Sequence, residues 1–310
     1  MKKIKHILEF LGTRLLYSFA GLLSLKFART LGQNLGRFGF AVIKIRRHHT
    51  LANLANAFPQ LSKSEIEKLG VQAYQNFGMS MFEYVHATSS KHDQLIKHIQ
   101  IENSHLLDAA LKAGKGAILL TAHFGGWESA AAWLSLNGYP VTFMYKKPKN
   151  PYIDKLILQT RESFGMNMVE RNLGVRTYLK TIKSGKFACL LADQDGGRKG
   201  IFVDFMGRPA STPVGPAVFA YKTGAPLIFF VLYRDKQNQL HLCFEKIDYD
   251  IAGMAKEKAI EYLVKTYTSH LEKWIKKYPN QWFWMHRRWM TKEKNPVNKT
   301  TGSTNKSHPN

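Results

Sequence analysis

The sequence predicts an α/β fold: a mostly parallel central sheet flanked by helices, preceded by an N-terminal helical, membrane-associating segment. Three observations carry this. From about Ile99 onward, short apolar runs of strand length alternate with stretches of helical pattern, which is how βα units read in sequence. Hydrophobic residues make up 45% of the 310 positions, enough for a sizeable core and too many for a disordered chain. The first 50 residues are apolar and basic together, with ten Lys/Arg and a single acid, Glu9.

The elements follow in order. Within residues 1–45, the apolar stretch 15–25 falls short of the roughly 20 residues a bilayer span needs. Extending it backward meets Arg14 and Glu9, and no small-residue cleavage site marks a signal peptide. A helix lying in the membrane interface is the better reading, with apolar residues toward acyl chains and Lys/Arg toward anionic head groups. Residues 48–59 read as a short helix stopped by Pro59. Ser62 and Glu65 form a capping-box pattern, and the helix it opens should run to about Ala87. Strands are expected at 99–102, 117–121, 141–145, 187–192, 227–233 and 240–245. Helices are expected at 104–113, 128–137, 152–164, 173–184, 213–223 and 256–277. After Lys292 the composition turns to Asn, Lys, Thr, Ser and Pro, and a disordered tail is expected. The chain thus divides into an N-terminal helical region (1–90), an α/β domain (91–291) and a tail (292–310).

Lys and Arg number 45 against 22 Asp and Glu, a formal net charge of +23. Such a chain is drawn to something anionic: nucleic acid, a membrane face, or an acidic protein or lipid. Its two cysteines, Cys189 and Cys243, sit in apolar runs and read as small core residues. Neither a disulfide framework nor a Cys-rich metal site is indicated, and no cofactor is expected.

The most informative stretch is Thr121-Ala122-His123-Phe124-Gly125-Gly126-Trp127-Glu128. An apolar strand precedes it and an alanine-rich helix follows, so His123 sits at a strand end, where open α/β sheets place their chemistry. A histidine and a carboxylate five residues on can form a base and its orienting group. The same residues also fit a strand-end histidine and a glutamate favoured by the helix dipole. Asp193 and Asp195 follow a second apolar strand; they suit a turn rather than a metal, since no His or Cys lies at ligand spacing. In the loop 203–215, Ser211 or Thr212 can cap a helix with Pro213 in its first turn. Near the C-terminus, Trp282, Phe283, Trp284 and Trp289 interleave with Arg287 and Arg288. That pattern fits stacking on single-stranded nucleic acid, a membrane interface, or a core with cation–π contacts.

Taken together, these stretches resemble the bacterial lipid A late acyltransferase family, the lauroyl/myristoyl transferases of the lysophospholipid acyltransferase superfamily. The resemblance spans about Leu11 to Thr291, with motifs in family order: Asn53 to Pro59, His123-x4-Glu128, Asp193-Gln194-Asp195, the loop Phe205 to Ala210, and Tyr278-Pro279 through Arg288. Where the family often has Phe-Phe-Gly, this chain has Phe205-Met206-Gly207. The resemblance implies an enzyme on the cytoplasmic face of the inner membrane. It implies a fatty acyl donor on acyl carrier protein or coenzyme A, and as acceptor a hydroxyl of a lipid A precursor. His123 would be the general base, with Glu128 holding the imidazole. Arg161 would steady the oxyanion or grip a phosphate, and Asp193 and Asp195 would shape the substrate pocket. An anionic membrane surface is an expected partner; nucleic acid is not. Competing readings are an acyltransferase acting on another glycolipid or an amino-acid lipid, a thioesterase, and a basic, non-enzymatic nucleic-acid-binding protein.

Overall fold

Among the described residues, four helices lead into the sheet: α1 (Lys2–Leu22), α2 (Leu25–Ala41), α3 (Arg47–Ala57) and α4 (Lys63–Ala87). They are seen in a computed structural model, which describes residues 2–89, 92, 97–171 and 174–293. From residue 294 on, the expected tail lies outside the described residues. The single interfacial helix expected over 1–45 is two helices, broken where Ser24 caps α2 by accepting from the Phe27 N–H. The capping box at Ser62 and Glu65 forms as expected and satisfies free N–H groups at the start of α4.

Small residues decide how α2 meets α4. A Cβ on Gly78 would lie 2.0 Å from the Gly32 carbonyl oxygen, and one on Gly32 would lie 2.4 Å from the Gly78 oxygen. Only glycine lets the two backbones approach this closely. Further along, the buried Glu83 of α4 bonds to both Arg29 of α2 and Arg234 of the sheet. A carboxylate out of water needs such partners. The outer face of α1 is different. Ile4, Leu8, Leu11, Leu15, Phe19 and Leu22 recur every three or four residues and stay exposed, Leu15 at 72% and Leu22 at 83%. One stripe of the helix is therefore apolar and uncovered. No described helix is long and apolar enough to cross a membrane.

The remaining chain builds a seven-stranded sheet in the order β1-β9-β8-β2-β5-β3-β4. Its strands are β1 (Ile99–Glu102), β2 (Ala117–Thr121), β3 (Val141–Tyr145), β4 (Asn167–Glu170), β5 (Phe187–Leu191), β8 (Leu227–Arg234) and β9 (Leu240–Ile247). All neighbours pair in parallel except β8 with β9. Helices α5 (His105–Lys112), α6 (Trp127–Leu136), α7 (Pro151–Ser163), α8 (Gly174–Lys183), α9 (Gly215–Thr223) and α10 (Lys256–Lys277) connect and flank the strands. The central strand β2 is buried along its whole length, as a strand covered on both faces should be. Cys189 and Cys243 are free and buried in this core.

Two features depart from expectation. β4 was not anticipated; as the outermost strand of its edge it is short and only partly buried, so its apolar signal is weak. β6 (Ile201–Phe205) and β7 (Arg208–Thr212) form a separate antiparallel hairpin. Ser211 and Thr212 therefore lie in a strand and do not cap α9; pairing with Phe202 and Ile201 carries the extended backbone through them. The helix begins at Gly215, with Pro216 rather than Pro213 in its first turn.

The α2–α4 crossing yields a test. Gly78→Leu should lower stability by about 1–3 kcal/mol, the usual cost of overpacking, because the helices must separate. Gly12→Ala, on α1 with no atom within 4 Å of the new Cβ, should be neutral or slightly stabilising. Chemical and thermal unfolding of both variants checks the contrast.

Candidate active site

The register of the sheet builds the site. β2 and β5 are parallel neighbours with Thr121 opposite Leu191. Two residues beyond those ends come His123 and Asp193, side by side at the carboxyl ends of two interior strands. Asp193 is fully buried and accepts three hydrogen bonds. The His123 backbone N–H and the Trp282 indole N–H each reach Oδ2 at 3.0 Å, and His123 Nδ1 lies 2.9 Å from Oδ1. An ionised carboxylate only accepts, so Nδ1 carries the proton and Nε2 keeps its lone pair. The Gln194 amide lies 3.3 Å from Nε2 and shields that lone pair until another donor takes its place.

The turn after His123 is held by the C-terminal segment. Gly125 has φ +53°, and a Cβ there would sit 1.9 Å from the Leu232 carbonyl oxygen, so only glycine fits. Its N–H donates to the Gln281 carbonyl at 2.8 Å, while the Phe283 N–H donates to the His123 carbonyl at 2.9 Å. Asn53 of α3 in turn donates to the carbonyls of Trp284 and His286 at 2.9 and 2.7 Å.

Glu128, in the first turn of α6, has a different partner from the one expected. It takes two bonds from Arg161 of α7, one from Nη2 at 2.6 Å and one from Nε at 3.3 Å. The carboxylate on the imidazole is Asp193, not Glu128. The tight Gly125-Gly126 turn carries the polypeptide away from the strand end, and the nearest cation claims Glu128 in a two-point clamp. Glu128 and Arg161 still face the same cavity as His123. All three line a mainly apolar cavity of about 220 Å³, together with Phe143, Met166, Cys189 and Phe230.

Asp193 thus serves the imidazole from beneath rather than lining the cavity. Asp195 also faces elsewhere: it accepts from the N–H and hydroxyl of Thr291 and from the Gly197 N–H, tying down the end of the described chain. The C-terminal aromatic and arginine cluster divides: Arg287 is exposed, Phe283 and Trp289 are half-buried, and the rest is core. Trp282, Trp284 and Arg288 are each 1% exposed. Arg288 spans the Ser211 carbonyl and the Thr212 hydroxyl, both at 2.6 Å, and lies over the Phe205 ring. Rings so deeply buried offer no platform for stacking bases. Trp282 and Gln194 escaped the sequence reading as site residues. The one signal for Asp193's role was a second strand ending on an acid, and only strand order makes it His123's neighbour.

The sequence matches the family described as bacterial lipid A biosynthesis acyltransferase over residues 1–291. The chain belongs to that family. It is 27% identical to the lipid A biosynthesis lauroyltransferase of Escherichia coli over 272 residues, covering 84% of this chain and 85% of the relative. It is 25% identical to the lipid A biosynthesis palmitoleoyltransferase of the same organism over 264 residues, covering 84% of each chain. A phosphatidylinositol mannoside acyltransferase of Mycobacterium tuberculosis is 30% identical over 182 residues, covering 57% of this chain. That match spans 58% of the mycobacterial protein's length.

Electrostatics separates this family member's two pairs. Burial alone would lower the His123 pKa, but the charge and hydrogen bond of Asp193 outweigh it and leave the imidazole above its ordinary value. Burial would likewise raise Asp193; the histidine's charge and hydrogen bonds instead hold it well below the usual carboxylate range. For Arg161, burial works toward a lower pKa and the Glu128 carboxylate overrides it, so the guanidinium stays charged. His286 beside them is pushed down to about 4, mainly by burial, and is neutral near pH 7.

A titration follows. The wild-type His123 imidazole should lose its proton above the ordinary value of about 6.5. In Asp193→Asn the carboxylate's pull is gone while burial remains, so the midpoint should move down. Histidine-resolved NMR across pH 5–9 reads this directly. Equal midpoints in the two proteins would rule out the coupling.

Proposed function

We propose that this chain transfers a fatty acyl group from a thioester donor to a hydroxyl of a lipid A precursor at a membrane surface. The observation that carries this reading is a histidine with a carboxylate-bound Nδ1 and an Nε2 that meets only the Gln194 amide, set in the lining of a mainly apolar cavity. The donor chain lies in that cavity with its thioester carbonyl beside His123. Nε2 takes the proton of the acceptor hydroxyl as its oxygen bonds to the carbonyl carbon. The tetrahedral intermediate then collapses with loss of the C–S bond, and the imidazolium returns the proton to the leaving sulfur. Asp193 holds the ring in the needed tautomer and steadies the imidazolium, the part first expected of Glu128. Arg161, fixed by Glu128 in the lining of the same cavity, supplies positive charge for the developing oxyanion. No covalent acyl-enzyme is required.

Several features support the surroundings of this chemistry. The uncovered apolar stripe of α1 suits a position in the interface of an anionic membrane, with Lys2, Lys3 and Lys5 near the head groups. The formal charge of +23 suits an acidic acyl carrier protein as donor and a phosphorylated glycolipid as acceptor. Family membership favours the cytoplasmic face of the inner membrane, where lipid A precursors are acylated. The likeness to mannoside acyltransferases supports a second reading, in which acyl-coenzyme A donates to a mannolipid.

The test is acyl transfer with each donor and acceptor. His123→Ala should lose about 10²–10⁴-fold in kcat, the range for removing a general base, with donor and acceptor KM little changed. Asp193→Asn should fall in the same range, through the wrong tautomer. The base must be neutral to act, so kcat/KM should rise with pH through His123's raised pKa. In Asp193→Asn that acid limb should move to lower pH while the plateau drops. Equal turnover of mannolipid would replace the lipid A assignment, and release of free fatty acid independent of acceptor would make the protein a thioesterase.

A further inference from the structure

A second cavity of about 300 Å³ lies on the far side of the Glu128–Arg161 clamp. Its walls come from α1 (Leu16, Tyr17 and Ala20), α4 (Met81 and Val85 among others) and α7. It does not include His123, and it shares Glu128, Ile157 and Arg161 with the His123 cavity. The ion pair is thus a partition between two apolar chambers. One chamber reaches inward beneath the strand ends. The other is walled by the same helix that carries the uncovered apolar stripe, and Leu16, 40% exposed, belongs to both that wall and the surface.

We propose that this outer chamber receives a fatty acyl chain already carried by the acceptor lipid. The proposal rests on the acyl-transfer reading above and deepens it. A thioester carbonyl at His123 leads its chain straight into the inner chamber; the outer one is reached from the imidazole only past a charged pair. A lipid arriving from the bilayer along α1 meets the outer chamber first. With one chain inserted there, its polar head is drawn to the Glu128–Arg161 end. Tyr17 and Tyr84 also bring hydroxyls there, both within the electrostatic reach of that pair. The head then lies beside Nε2, and the acceptor hydroxyl enters the site opposite the donor carbonyl. Lipid selection in this scheme depends on two chains read in two chambers, with the clamp keeping them apart.

Leu16→Trp and Met81→Phe narrow the outer chamber from positions that are not fully buried. Each should raise KM for a lipid A precursor about tenfold. The kcat, the KM for acyl carrier protein thioester and the length of the transferred chain should stay as in wild type. KM for the same disaccharide stripped of its chains should not change. Leu15→Ser, on the outer stripe and outside the chamber, should weaken vesicle binding and leave acceptor KM in detergent micelles unaltered. A shift in transferred chain length with constant acceptor KM would give the chamber to the donor and overturn the proposal; so would no change in any parameter. A second measurement does not need turnover. In His123→Ala, a lipid A precursor bearing a diazirine in its fatty chain should label α1 and α4 around Leu16 and Met81. Labelling confined to Phe143 and Phe230, or none, overturns the proposal. If the wild type labels there yet transfers no acyl group, the transfer reading fails and the chain site stands.

Discussion

Asp193 draws together three separate parts of the chain: its own strand end, the strand end bearing His123, and the C-terminal segment bearing Trp282. A carboxylate taken fully out of water is unstable unless every lone pair it turns inward is met. Here the two donors from His123 and the one from Trp282 meet that need, and bonds to a charged acceptor contribute about 1.5–3 kcal/mol each. The same bonds fix the tautomer of the imidazole. Stability and chemistry are therefore not independent at this point: whatever keeps Asp193 ionised also keeps Nε2 available. The pairing further requires that Gln281 to Phe283 lie against the turn at Gly125, which Asn53 secures from a helix more than 200 residues earlier.

The two carboxylates near His123 divide the work by environment. Asp193 sits below the ring, shielded, in contact with neutral and histidine donors. Glu128 lines the cavity in a two-point clamp with a guanidinium that stays charged. If Glu128 faced the imidazole, Arg161 would be left with an uncompensated charge beside an apolar wall. Paired as they are, the two form a charged element shared by the linings of both cavities. A single short turn, Gly125-Gly126, separates Glu128 at the start of α6 from His123 at the end of β2.

Much of this was legible in the sequence because it is local. Apolar runs of strand length bounded by turns gave six of the seven strands of the large sheet, and the capping box at Ser62 gave the start of α4. The strand end at His123 and the glycines after it marked the site. What could not be read is order across the sheet. Nothing within residues 117–121 or 187–191 says that these two strands are neighbours in register, and that adjacency alone converts Asp193 from a turn residue into the partner of His123. Spacing along the chain favoured Glu128 instead, since it was the nearest acid. The hairpin β6–β7 was hidden for a related reason: Ser211 and Thr212 have the chemistry of helix caps, and their long-range pairing with Phe202 and Ile201 prevails over that local preference.

The C-terminal run of tryptophan, histidine and arginine shows the same competition from the other side. By composition it could face nucleic acid, membrane or core, and its arginines argue for a surface. Burial reverses the argument. Arg288 is enclosed, its pKa pulled down to about 10 by that enclosure. It remains there because a carbonyl, a hydroxyl and the face of Phe205 receive it. The guanidinium thereby ties the C-terminal segment to β7 of the hairpin, while Trp282 ties the same segment to Asp193. A guanidinium enclosed in this way, with Nη1 and Nη2 bonded to a loop, is not offered to a partner at the surface. The charge free to meet an anionic lipid or an acidic carrier lies instead on the exposed lysines and arginines, among them those that flank the apolar stripe of α1.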